Sequence, residues 1–317
     1  MLTRRQMLAT GAALPLVPAT ARAASHTGTT GTNALADALR FPLGEDMAVT
    51  VLSDGALRIG PEALQGIDAE GYATLMQDAY RDPDTFRAAV NGFLVEANGE
   101  KMLIDAGTGG AMGPDLGRLL GNLSATGTAP EDITRVIATH LHPDHVGGAV
   151  EGGEAVFPNA ELTVHEQERA FWTEDVNMAE GSEQFFQIAR TVLDQYSDRL
   201  NVISGDEVEV APGLTSMFLP GHTPGHTGYV LNSGDQSVLI WADIVHAAPV
   251  QLARPEVTIG FDVNPEQAAE TRAALLDRVV ADRMMIAGSH IDFPGMGHIA
   301  PEGEGYRMVN AAYPYRA

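Results

Sequence analysis

Short apolar runs recur along the chain, broken by glycine- and aspartate-containing segments. Residues 47–52 alternate well enough for a strand, and Ser53-Asp54-Gly55 follows as a turn signal. Residues 91–96 and 101–105 read as two strands joined through Asn98-Gly99, a dipeptide suited to a hairpin. The period then changes. Leu116, Leu119, Leu120 and Leu123 fall on one helix face within residues 115–124. Residues 135–138 form a short apolar run that reads as the end of a buried strand. Further strands are expected at 161–164, 207–210, 214–219, 228–231, 237–241 and 283–287, and helices at 167–172, 183–196 and 265–279. Strands followed by helix, given twice, predict an α/β chain with two packed sheets and helices outside them.

The chemistry is concentrated just beyond the run at 135–138, in Thr139-His140-Leu141-His142-Pro143-Asp144-His145-Val146-Gly147-Gly148. On an extended backbone His140 and His142 point to the same side. Pro143 disfavours helix at His142 and turns the chain, so that Asp144 and His145 swing back towards the first pair. Imidazole and carboxylate are ligands suited to zinc and other borderline divalent ions. A polar turn with solvated histidines is the plainer alternative, and the later histidines and aspartate argue against it. The 317 residues include no cysteine, so any metal must sit on nitrogen and oxygen. With 19 basic and 42 acidic residues the formal charge is −23, which argues against nucleic acid and anionic membrane surfaces as partners. Asp105-Ala106-Gly107-Thr108-Gly109-Gly110 is not a dinucleotide fingerprint, because position 112 is Met where the pattern needs Gly.

The first residues read as a targeting segment. Arg4-Arg5 precede an apolar stretch from Met7 to Ala19, and Ala21-Arg22-Ala23 supplies a small-residue cleavage pattern. The paired arginines resemble a Tat signal over residues 1–23, with an ordinary Sec signal or a short anchor as alternatives. The apolar stretch is short for a membrane span. Residues 24–40 then read as a flexible start to the mature chain, and 41–317 as one domain. The expected location is periplasmic or secreted.

The H-x-H-x-D-H run resembles the signature of the metallo-β-lactamase superfamily, and later motifs follow in the same order. Gly221-His222-Thr223-Pro224-Gly225-His226-Thr227, Trp241-Ala242-Asp243 and Gly288-Ser289-His290 match its third motif, its bridging aspartate and its final histidine. Within it the chain is similar to methyl parathion hydrolase and its lactonase relatives, through Leu52-Ser53-Asp54-Gly55, Phe157-Pro158-Asn159-Ala160, Phe171-Trp172 and the tail Phe293-Pro294-Gly295 with Gly297-His298-Ile299. The resemblance implies an αββα sandwich, two mixed β-sheets flanked by helices, and two divalent ions, most simply Zn2+. His140, His142 and His226 would hold one ion and Asp144, His145 and His290 the other, with Asp243 bridging. His222 and His298 are then expected to be structural, His165 stays open, and His26 falls in the flexible start. Asp105 is either an acceptor that orients a ligand histidine or a turn cap.

The reaction implied is attack of a hydroxide shared by the two ions on an ester or lactone carbonyl or on phosphorus. Asp144 would pass its proton to the leaving group. There is no G-x-S-x-G elbow. Trp172, Phe185 and Met112 fall at pocket positions of the resemblance, Met112 replacing a ring. His246, Ile259 and Phe261 stand where the organophosphate hydrolase carries smaller or non-ionising residues. The expectation is therefore a lactone or aryl-ester hydrolase of small molecules, with phosphotriester hydrolysis as a side activity. Alternatives are phosphotriester hydrolysis as the main activity, a β-lactamase, a glyoxalase II-like thioesterase, and a metal-binding protein without catalysis. A homodimer is what the resemblance implies.

Overall fold

The structure, a computed structural model, describes residues 37–84 and 86–314. The expected signal segment and the stretch from 24 to 36 lie outside the described residues. Strand Ala38–Leu43 pairs with Met47–Arg58, so the ordered fold takes in residues 38–40, which were expected in the flexible start.

Two seven-stranded sheets face each other. The first runs Ala38–Leu43, Met47–Arg58, Arg87–Ala97, Glu100–Ile104, Arg135–Ile137, Glu161–His165, Leu200–Ile203; it is antiparallel up to Glu100–Ile104 and parallel beyond. The second runs Glu209–Ala211, Leu214–Phe218, Thr227–Ser233, Gln236–Ala242, Met285–Gly288, Met296–Glu302, Gly305–Asn310, with one parallel pair, Gln236–Ala242 beside Met285–Gly288.

Alternation along the strands explains the layers. Val49, Val51, Phe93, Val95, Met102 and Ile104 meet Tyr229, Leu231, Val238, Ile240 and Ala287 between the sheets. Their neighbours Leu52, Leu94 and Leu103 point the other way, onto Leu119 and Leu123 of helix Leu119–Ala125 and, with Leu162 and Val164, into one cluster with Phe186 and Val192 of helix Glu183–Gln195. On the far side Leu239, Trp241 and Ile286 pack against Leu275, Leu276 and Val279 of helix Pro265–Ala281. Strands buried on both faces are largely apolar on both sides, which is why they read as near-continuous runs. The result is the expected α/β sandwich of two mixed sheets between helices.

One expected turn is not a turn. Met47–Arg58 is a single strand whose register against Arg87–Ala97 shifts between Ser53 and Gly55, with Gly55 at φ 122°. A bulge uses the same Ser-Asp-Gly chemistry as a turn but lets the strand continue. It turns Asp54 inward, fully buried, where its carboxylate accepts from the Thr108 and Leu119 amides at 3.0 and 2.9 Å and the Thr108 hydroxyl at 2.6 Å. The loop after Glu100–Ile104 is thereby anchored to the sheet. The Asn98-Gly99 hairpin forms as expected, with φ values of 51° and 83°.

Candidate metal centre

The central strands of both sheets deliver their polar residues to one edge. His140 and His142 follow Arg135–Ile137, Asp243 follows Gln236–Ala242, and His290 follows Met285–Gly288. Ligands in open α/β sheets gather beyond such carboxyl ends. Pro143 opens the one-turn helix Pro143–Val146, where its missing N–H costs nothing, and that turn carries Asp144 and His145 back to the centre.

Two groups of donors meet there, and Asp243, His246 and His290 form a third that overlaps them. His140 Nε2 and His222 Nε2 each lie 3.0 Å from His142 Nδ1, and Asp243 Oδ2 lies 3.6 Å from His140 Nε2 and 3.3 Å from His222 Nε2. Beside them Asp144 Oδ2 lies 3.6 Å from His145 Nε2 and 3.5 Å from His290 Nε2. Asp243 closes that group too, with Oδ1 at 3.2 Å from His145 Nε2 and Oδ2 at 3.0 Å from His290 Nε2. Asp243 therefore faces both groups, as expected of a bridge.

The donor set fits a pair of divalent cations. Tetrahedral ligands on zinc sit about 3.3 Å from one another, close to the spacings here. His145 Nε2 and Asp243 Oδ1 are buried and have no hydrogen-bond partner, and a buried acceptor left unpaired is costly. A cation satisfies both.

Buried partners fix the far side of the rings. Asp105, at φ 59°, accepts from the Thr139 amide at 2.9 Å and hydroxyl at 2.8 Å, and holds His145 Nδ1 at 2.8 Å. It is the orienting acceptor of the two readings left open. Asp262 holds His222 Nδ1 at 2.8 Å, and the Ala89 carbonyl accepts from His290 Nδ1 at 2.6 Å. Such partners set the tautomer that presents a lone pair inward.

The sequence expectation fails at one ligand. His226, not His222, was assigned to the metal, and the structure reverses them. His226 Nδ1 donates to the Leu219 carbonyl at 2.9 Å and Nε2 accepts from the Asp243 amide at 3.1 Å, so neither nitrogen is left for a cation. His226 immediately precedes strand Thr227–Ser233 and is locked by neighbouring backbone. His222 lies in the loop four residues beyond Leu214–Phe218, as the other ligands lie beyond strand ends. That loop position is the signal that separates the two.

Electrostatics follow burial. Burial holds His140 and His142 well below the ordinary imidazole range. It pulls His226 down to about 3 and His246 to about 4. Burial also opposes charge on His222, but hydrogen bonds to Asp243 and Asp262 outweigh it and push the group up to about 9. For His145, the Asp243, Asp144 and Asp105 carboxylates likewise outweigh burial and raise it.

The expected pocket residues separate into four kinds. His246 is buried. Its Nε2 lies 3.1 Å from Asp243 Oδ2, its ring stacks on His290, and its Nδ1 has no partner. Gln251 fixes it by accepting from the His246 and Ala247 amides at 2.7 and 3.0 Å. Phe185 is half-buried with its ring edge-on to His142, 5.7 Å between centroids, and Phe261 is half-buried beside Asp262. Trp172 also stands edge-on to His142, at 5.4 Å, but is only 2% exposed. Ile259 is fully buried among Tyr72, Met76, Phe86 and Val250. Both expose almost no surface. Met112 is half-buried on the loop that Asp54 anchors. His298, expected to be structural, bonds the Met284 carbonyl, and His165 accepts from the Gln167 amide and stacks on Phe218.

The metallo-beta-lactamase superfamily model matches residues 86–290. An N-acyl homoserine lactonase of Bacillus thuringiensis is 28% identical over 177 residues, 55% of this chain and 62% of that protein. One from Bacillus sp. is 31% identical over 116 residues, 37% of this chain and 40% of that one. The chain thus spans less than two thirds of the length of these curated relatives. Hydrolase AbOPH of the beta lactamase superfamily superposes with a TM-score of 0.83 at 29% identity, over 89% of this chain and 100% of that one. The dizinc quorum-quenching lactonase AidC, at 23% identity and a TM-score of 0.84 over 89% of this chain and 100% of that one, shares the fold. The matched segment covers more than half of the chain and contains both donor groups, and this protein belongs to the metallo-β-lactamase superfamily.

Proposed function

We propose that the protein is a dinuclear, metal-dependent hydrolase of lactones and related aryl esters. The observation that carries this reading is the convergence of two donor groups on one buried aspartate, with His246 beside it and the Phe185 ring edge-on to His142. When bound, two divalent ions supply Lewis acidity and an activated water near neutral pH. His140, His142 and His222 would hold one ion, and Asp144, His145 and His290 the other, across Asp243. Resemblance to lactonases named for N-acyl homoserine lactones supports lactones as the substrate class.

The chain's own residues then orient and select. Phe185 and Phe261 offer apolar faces to a planar ring, and aromatic walls with few polar groups are typical of small-molecule sites. His246 is held too deep to contact more than the reacting end of a substrate. With burial holding it near 4, its imidazole is neutral at pH 7 and suited to hydrogen bonding. Asp144 is buried beside His145 and His290, within reach of a proton released at the centre. A tetrahedral phosphotriester is wider around its reacting atom than a planar lactone, and bulk at His246 and Phe261 opposes it.

The test is a kinetic panel on zinc-loaded and chelated protein, covering an N-acyl homoserine lactone, dihydrocoumarin, an aryl ester, a β-lactam and methyl paraoxon. The lactones should give the highest kcat/KM, lost on chelation. His246→Leu with Phe261→Leu should move the lactone-to-phosphotriester ratio by about tenfold, which needs only about 1.4 kcal/mol of differential transition-state binding. Preference of the unaltered protein for methyl paraoxon or the β-lactam would overturn the assignment.

A further inference from the structure

Glu168 is a fully buried carboxylate that belongs to neither donor group. It sits on helix Glu166–Thr173, and both of its oxygens are taken. Oε1 accepts from the Leu141 amide at 2.9 Å and from the Trp172 indole at 2.6 Å. Oε2 accepts from the Thr223 hydroxyl at 2.6 Å and from the Gly225 amide at 3.0 Å. All four partners donate, so the ionised carboxylate is the form that satisfies them, and charge-assisted bonds of this kind are the strong ones.

The positions of those partners carry the argument. Leu141 lies between His140 and His142, and Thr223 directly follows His222. One side chain thus ties together the two loops that supply the three-histidine group. The Trp172 indole, pinned by the same carboxylate, stands edge-on to His142. The fit is close: a Cβ on Gly225 would fall 2.1 Å from the Glu168 amide nitrogen, so only glycine lets that loop reach the helix. The other donor group has partners that Glu168 does not touch, Asp105 on His145 and the Ala89 carbonyl on His290, although Asp105 also reaches His140 through the Thr139 hydroxyl. Charge buried this deeply is expensive unless fully paired, and here every pair reaches one half of the centre.

We propose that Glu168 is a positioning residue for the half-site of His140, His142 and His222, and that it sets the affinity of that half-site for a divalent ion independently of the half-site of Asp144, His145 and His290. The proposal rests on the metal reading of the centre. Removing a buried partner that orients ligands costs on the order of 10–100-fold in metal affinity, and the cost should fall on one ion only.

The experiment is zinc titration of the metal-free full chain by calorimetry, with cobalt(II) absorption as a second readout. Glu168→Ala, Glu168→Gln and the unaltered chain are compared, with circular dichroism to check folding. The unaltered chain should bind two equivalents. Glu168→Ala should weaken one of them by at least about tenfold and change the cobalt spectrum of that site, while the other keeps its affinity. Glu168→Gln should fall between: its carbonyl can still serve Leu141 and Trp172, and the Thr223 hydroxyl can turn to accept from the new amide. Only the Gly225 amide then loses its partner. Should the alanine variant fail to fold, the glutamine variant decides, since a one-sided loss of affinity supports the proposal and unchanged binding overturns it. Equal weakening of both ions, or two unchanged ions in a folded alanine variant, also overturns it. An unaltered chain that takes up no zinc overturns the metal reading itself, and with it this proposal.

Discussion

At the scale of single residues, the exchange of roles between His222 and His226 is the sharpest test of the centre. Both are fully buried and lie four positions apart. His222→Ala removes a convergent nitrogen and should cut zinc uptake and hydrolysis together, by well over about tenfold in each. His226→Ala removes the bonds to the Leu219 carbonyl and the Asp243 amide but leaves every inward-facing donor in place. It should bind two zinc ions and lose about 1–3 kcal/mol of stability, read as a lower Tm. Equal loss of zinc in both variants would sink the distinction. That the H-x-H-x-D-H side chains converge was legible because short-range geometry, strand then proline turn, aims them, while Asp243 and His290 were placed beside them by resemblance. In Gly-His-Thr-Pro-Gly-His the two histidines are alike in type, and what separates them is place: His222 lies in the loop beyond Leu214–Phe218, while His226 meets backbone at the start of Thr227–Ser233. Ile259 and Trp172 show a limit of another kind, since nothing local in the sequence says that both are almost fully buried.

The elements show where patterns are reliable and where they mislead. Apolar runs marked the strands because both faces are covered, whereas Ser53-Asp54-Gly55 looked like an end and is a bulge within one strand. Another element carries a polar group that its periodicity hides. Arg272 lies in the middle of helix Pro265–Ala281, is 1% exposed, and donates to the carbonyls of Ile244 at 2.6 Å, Pro255 at 2.7 Å and Val257 at 2.9 Å. Its guanidinium also lies 4.0 Å from Asp262, the residue that orients His222. The helix thus clamps the exit from Asp243 and the segment leading to Ile259. Arg272→Met keeps the stem and leaves three carbonyls and a buried carboxylate short of a donor. The expected loss is on the order of 3 kcal/mol, or roughly 5 °C in Tm for a chain of this size. An unchanged Tm would show that the clamp contributes nothing net.

Over the whole molecule, metal, protons and stability are one linked system. The layered architecture was legible from runs that had to be apolar on both faces. The charge state of the centre was not, because it depends on carboxylates brought in from distant strands. Without a cation, Asp243 and Asp262 push His222 up to about 9, and the surrounding carboxylates raise His145. A cation needs the neutral imidazoles, so its uptake near pH 7 displaces protons, and apparent affinity must weaken as pH falls from about 9. His140 and His142, already held low by burial, do not add to this effect near neutrality. A ligand present at about 100 times its Kd stabilises the native state by about 2.7 kcal/mol. The gap in Tm between zinc-loaded and EDTA-treated protein should therefore be several degrees and should widen from about pH 6 to about pH 9 at fixed free zinc. The sign is set by the raised groups: protons compete most at low pH, where the zinc contribution is smallest. A gap that stays constant or narrows with rising pH would mean that His222 and His145 do not take up protons when the cation leaves.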